Sequence, residues 1–141
     1  MSEEGIFELG MNLSDAEAAP LLPQGDYEAE ITNVEKRMSD KGNSYFSLQF
    51  RIDPTVMPPD IDADTHYPEG ARLSYNRIMC PDGTQRTLYR LKKFIEALGL
   101  PTNTSTIDIA EWMNRTAKVR IKHSTWEGEE RMEIAGVHAL D

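Results

Sequence analysis

Apolar and polar residues first settle into strict alternation at Gly25. Tyr27, Ala29 and Ile31 alternate with Glu28, Glu30 and Thr32, the period of a half-buried strand, which predicts a strand running to about Met38. Ser39-Asp-Lys-Gly-Asn43 reads as a turn, with Gly42 free to take positive φ. The next strand is the clearest alternation in the chain. It sets Phe46, Leu48, Phe50 and Ile52 on one face and Tyr45, Ser47, Gln49 and Arg51 on the other. Residues 53–69 hold four prolines and five acids without a base and predict a long loop, before a third strand at about Ala71–Met79.

The period then changes to that of a helix. Leu88, Leu91, Ile95 and Leu98 form a helical stripe, Asp82 and Gln85 are spaced as a capping box, Gly99 supplies the C-terminal cap and Pro101 prevents continuation. Arg86, Arg90 and Lys93 lie on another face of this helix and read as solvated. A short helix is expected at about 107–114. Alternation returns with Ala117, Val119 and Ile121 against Lys118, Arg120 and Lys122. Thr125–Glu130 predicts a hairpin connection, and Arg131–Val137 the last strand.

Strand, strand, strand, helix, strand, strand is the order of the OB-fold, a five-stranded Greek-key barrel with one helix between strands 3 and 4. A two-layer α+β sandwich fits the same order. Residues 1–24 read as an acidic, partly disordered leader with at most a short helix at 15–19, stopped by Pro20. Residues 25–141 read as the domain.

Composition narrows the function classes. The 141 residues suit one domain, and no apolar run approaches the roughly 18 residues of a membrane span. The start lacks the basic and apolar regions of a Sec-type signal, so none is expected. One cysteine, Cys80, and three histidines argue against a disulfide scaffold and a structural zinc site, and together suggest a reducing cytoplasm. Asp60–Asp64 is similar to the opening of a calcium loop, but Thr65 and Ala71 stand where glycine and glutamate are needed. The chain has no glycine-rich phosphate loop, nucleophile elbow or paired carboxylates. Cys80, before Pro81, reads as a small packed hydrophobe. The expectation is a protein that is not an enzyme and needs no cofactor.

The net charge of −9 argues at first against a nucleic-acid partner. Its distribution reverses that argument. Residues 1–30 carry eight acids and no base, whereas residues 70–126 carry ten bases against four acids. Phosphates respond to the local field rather than to the average. Single strands are held by cations on phosphates and aromatic platforms under bases. Lys118, Arg120 and Lys122 would project along one strand face about 6–7 Å apart, close to the phosphate repeat of an extended strand. Arg51, Arg72 and Arg77 extend the set, Lys36, Arg37 and Lys41 flank the first hairpin, and Tyr45, Tyr75 and Trp126 are the candidate stacking residues. Each residue has a plainer reading as well: the Lys-x-Arg-x-Lys strand as a guarded, solvated edge, Tyr45 as a cross-strand partner, Trp126 folded onto the rim.

Leu22-Pro-Gln-Gly-Asp-Tyr-Glu-Ala-Glu-Ile31, Lys41-Gly-Asn-Ser-Tyr-Phe-Ser-Leu-Gln-Phe-Arg-Ile52, Gly70-Ala-Arg72 and Leu91-Lys-Lys-Phe-Ile-Glu-Ala-Leu-Gly99 carry a further signal. Over about residues 20–138 the chain resembles a bacteriophage family of small OB-fold single-stranded DNA-binding proteins, encoded beside replication and recombination genes. The resemblance implies sequence-nonspecific coating of single-stranded DNA in phage replication or recombination, in the host cytoplasm, with replication or recombination proteins as further partners. It leaves homo-oligomerisation open. The rival expectation is a protein-interaction adaptor that uses the same barrel without nucleic acid. The acidic leader is expected to compete with DNA for the groove.

Overall fold

The computed structural model describes residues 5–16 and 18–140. Five strands form one antiparallel sheet: β1 (Gly25–Met38), β2 (Ser44–Ile52), β3 (Ala71–Met79), β4 (Thr116–Trp126) and β5 (Glu129–His138), in the order β3-β2-β1-β4-β5. A four-residue helix, α1 (Ala63–His66), precedes β3, and the main helix, α2 (Gln85–Ala97), follows it.

Alternation in the sequence becomes two faces in the sheet. Ala29, Ile31, Leu48, Phe50, Ile52, Val119 and Ile121 are all buried on the inner face. β1 is central because it serves two ladders. Gly25–Glu30 pairs with β4 and Glu30–Met38 with β2, and a bulge between Ile31 and Asn33 marks the handover. Such a bulge bends the strand and sharpens its twist. The expected barrel is not closed by hydrogen bonds: β3 and β5 are edges with no ladder between them, although they approach within 8 Å at several Cα positions.

The inner face is capped by aromatic packing that the sequence reading did not single out. Trp112, from a 3-10 turn at Ile109–Trp112, is 1% exposed and sits edge-on to Phe46 at 5.1 Å and Phe94 at 5.3 Å. Each edge-to-face pair adds about 0.5–1.5 kcal/mol beyond its buried area. This turn replaces the short helix expected at 107–114.

The cap of α2 is Thr84, whose hydroxyl accepts from the Thr87 amide; Asp82 instead accepts from the Thr84 amide and hydroxyl, so the Asp82–Gln85 capping box does not form. The buried stripe of α2 is Leu91, Phe94 and Ile95 with Ala97, continued by Leu98 at the cap, while Leu88 is 44% exposed. The helix ends as expected at Gly99, with φ +76, and the Gly99 and Leu100 amides reach back to Glu96 and Ile95. Residues 53–69 contain a 3-10 turn at Pro54–Val56 as well as α1, each capped by an aspartate, Asp53 and Asp62. The last hairpin is tighter than expected. Only Glu127 and Gly128, both at positive φ, join Trp126 to Glu129, in the manner of a type I′ turn.

The packed unit also reaches back before Gly25. Leu22 is fully buried, its carbonyl lies 2.7 Å from Nε2 of His123, and the Pro20 and Pro23 carbonyls accept from the Tyr67 and Tyr27 hydroxyls. A 3-10 turn at Leu13–Asp15 stands in place of the helix expected at 15–19, and Glu17 within that span lies outside the described residues.

Candidate nucleic-acid interface

Three groups of candidate residues can be compared by what surrounds them. The first is β4. Lys118, Arg120 and Lys122 do share the outer face, but register sets an acid across from each: Glu28 opposite Lys118, Asp26 opposite Arg120, Glu133 opposite Lys122. Arg120 forks onto Asp26 at 2.9 and 3.3 Å. That guanidinium holds the Asp26 carboxyl below the usual carboxylate range. Lys118 and Lys122 face their acids by register, at the range where opposite charges support a sheet, but among the described residues Arg120 alone of the three is in an ion pair within 4 Å.

The second group surrounds the β1–β2 hairpin and the outer face of β2. Lys36 and Lys41 are exposed, and Arg37 is paired with Glu35 at 2.9 Å. Tyr45 is half-buried and lies across from Arg37 and Met79. Arg51 is occupied structurally: its Nε donates to the Glu69 carbonyl at 2.7 Å, and an Nη reaches Asp53 at 3.3 Å. Gly70, at φ +86, is packed so closely that a Cβ would meet the Ile52 carbonyl at 2.6 Å and Arg51 Nε at 2.9 Å. Arg51 therefore fastens the end of the 53–69 segment to the sheet. Arg72 lies across from it, exposed. Trp126 is 56% exposed but has the Arg131 guanidinium 4.6 Å from its ring centre. It projects from the N-terminal end of β1, whereas Tyr45 lies near the C-terminal end, so the two hairpins do not bring these aromatics together.

The third group is at the gap between β3 and β5. A bulge in the β2–β3 ladder, after Tyr75, turns Asn76 and Arg77 outward, with Asn76 accepting from the Ser47 hydroxyl at 2.7 Å. Tyr75 stays inward, across from Leu48 and edge-on to Phe50 at 6.4 Å. Here α2 lies beside the gap and presents Tyr89, Arg90 and Lys93. Together with Ala135 and Val137 of β5 these residues line a cleft of about 390 Å³ whose lining contains three cations and no acid. Lys93 lies 5.5 Å from the Tyr89 ring centre and 3.6 Å from Glu96. Among the described residues, Arg77 and Arg90 have no carboxylate within 4 Å. Burial pushes the Tyr75 phenol pKa up, and the nearby guanidiniums of Arg77 and Arg90 act against that shift.

Of the candidates from the sequence, the structure thus brings Tyr75 and Arg77 into one site. It adds Tyr89, Arg90 and Lys93, so that Arg90 and Lys93 line a cleft rather than forming only a solvated helix face. The signal available in the sequence was their spacing: Tyr89, Arg90 and Lys93 fall within one turn of α2. What it could not supply was the β3–β5 gap beside that turn. Cys80 packs against the core, and burial pushes its thiol pKa up, away from the reactive thiolate. Among the described residues no helix is long and apolar enough to cross a membrane.

No curated protein matches the chain. A family model does, over residues 10–141, which include every strand, both helices and the cleft, and the chain therefore belongs to the family described as "Protein of unknown function (DUF669)".

Proposed function

We propose that this protein binds single-stranded DNA without strong sequence preference and without a catalytic step, in the phage replication or recombination setting that its sequence resemblance implies. The sheet is read as an OB-fold barrel. In support, β1 pairs with both β2 and β4, and the edges of β3 and β5 approach each other beside α2.

The observation that carries the reading is an asymmetry of charge. The cations of β4 face acids across the ladders, whereas Arg77 and Arg90 have no carboxylate partner among the described residues and lie with Tyr75 and Tyr89. Unmatched guanidiniums beside aromatic rings are what a single strand requires: charge for phosphates and flat surfaces for bases. Lys36, Lys41 and Arg72 supply further exposed positive charge for the same strand.

The test is the affinity for a fluorescent oligo-dT of roughly 30 nucleotides, long enough for one or more OB-type sites, across a salt series beside the matching duplex. Single-strand binding that exceeds duplex binding and weakens steeply with salt is the expected result. Absence of binding to either form at low salt would overturn it and leave the protein-interaction adaptor as the better reading.

A further inference from the structure

We propose that the cleft between β3, β5 and α2 seats one base turned out of the strand, with the flanking phosphates on Arg77 and Arg90. This inference rests on the single-strand reading above and assigns that strand a defined anchor.

The cleft has two unlike walls. Tyr89 is 58% exposed, with Lys93 5.5 Å from its ring centre, whereas Tyr75 is half-buried. Ile78, Phe94 and Val137 make the remainder apolar. Its volume, about 390 Å³, is at the small end of ligand sites, which span roughly 300–1,000 Å³ and are mostly apolar with a few polar groups. That is room enough for one base and its sugar. Arg77 comes from β3 and Arg90 from α2. The two guanidiniums therefore approach from different elements, as two successive phosphates on either side of an inserted base would require. The apolar floor accepts any base face, which keeps the site sequence-tolerant.

The geometry also gives a reason for preferring single strands. A base can enter only after leaving its stack and its pair. In a duplex that costs a few kcal/mol, and least where the base is already unpaired. Selectivity then comes from the depth of the seat rather than from contacts unique to one strand.

The experiment compares wild type and Tyr89→Ala on oligo-dT and on an abasic oligonucleotide of the same length. Tyr89 is an exposed side chain, so its truncation leaves the core intact, and urea unfolding of the variant checks this. Loss of one stacked base weakens oligo-dT binding about tenfold, and the abasic strand, having no base to stack, binds both proteins alike. Arg90→Ala weakens both strands and lowers the salt slope by about 0.7. An unchanged affinity of Tyr89→Ala for oligo-dT, or an equal loss on the abasic strand, overturns the base seat while single-strand binding stands. If wild type fails to bind oligo-dT, titration of dTMP into ¹⁵N-labelled protein decides. Amide shifts confined to Tyr75, Tyr89, Ala135 and Val137 keep the nucleotide seat and dismiss strand coating; no shifts dismiss both.

Discussion

The basic row of β4 and the basic corner between β3 and α2 carry the same kinds of side chain in different surroundings. Along β4, each cation has a carboxylate across a ladder, and Arg120 is held by two contacts to Asp26. At the corner, Arg77 and Arg90 lie beside two tyrosines in a cleft without an acid. A row of lysine and arginine is therefore not by itself a binding surface. What decides is whether the fold has already spent that charge on a neighbour.

The sharpest way to break this contrast is a pair of double substitutions. Arg77→Ala with Arg90→Ala should weaken oligo-dT binding by more than tenfold, since charge-assisted hydrogen bonds contribute about 1.5–3 kcal/mol each. Lys118→Ala with Lys122→Ala should change it by no more than about threefold, the scale of exposed charges that face a carboxylate across a ladder. Equal losses measured by fluorescence anisotropy would show that compensation across the ladder does not matter.

The converse substitution sharpens the comparison from the acidic side. Asp26→Asn releases Arg120 and removes one negative charge from the outer face. Oligo-dT affinity at low salt should rise by a few-fold and its salt dependence steepen, because one more phosphate contact becomes available. Unchanged affinity would place the DNA path away from β4 altogether.

A smaller effect is expected from the leader. Removing residues 1–19 takes away five of the chain's acids and leaves Leu22 and its contacts in place. Binding should tighten by about twofold at low salt and be indistinguishable at high salt, where screening is complete within a few ångströms. A gain that persists at high salt would contradict a purely electrostatic competition.

The smallest effect concerns pH. The folded pKa of Asp26 is depressed, chiefly by its hydrogen bond to Arg120, so the pair's contribution to stability is present above the unfolded value, 3.8, and is lost as pH falls through the lower folded value. The difference in Tm between wild type and Asp26→Asn should stay flat from pH 8 to about pH 5 and shrink below about pH 4. A difference that varies between pH 8 and pH 5 would show that another group governs the pair.

How far the sequence alone leads depends on the range of the interaction. Alternation over a few residues places β1, β2 and β3 at their observed bounds, because each strand's faces are set by neighbours two positions apart. Pairing across the sheet is a different matter. Asp26 and Arg120 lie 94 residues apart, and only the register of β4 on β1 and on β5 reveals that each β4 cation faces an acid. The same holds for the cleft: Tyr75 and Arg77 were visible as candidates, but their meeting with Tyr89 and Arg90 depends on where α2 lies over the open edge. Trp112 shows the limit from the apolar side. One tryptophan in a polar connection has no periodicity to announce it, yet it packs between β2 and α2 as one of the largest fully buried side chains.

The shared role of β1 has a consequence for synthesis. Its first half can find its partner only when β4 has emerged, some 94 residues later by the Asp26–Arg120 separation. At roughly 5–20 residues per second on the ribosome, that is an interval of about 5–20 s. During it, β2 and β3 can pair beside the second half of β1 while Gly25–Glu30 waits as an unprotected edge. The acids at positions 26, 28 and 30, the first two of which later face Arg120 and Lys118, keep that waiting edge charged, and so discourage nascent chains from pairing with one another.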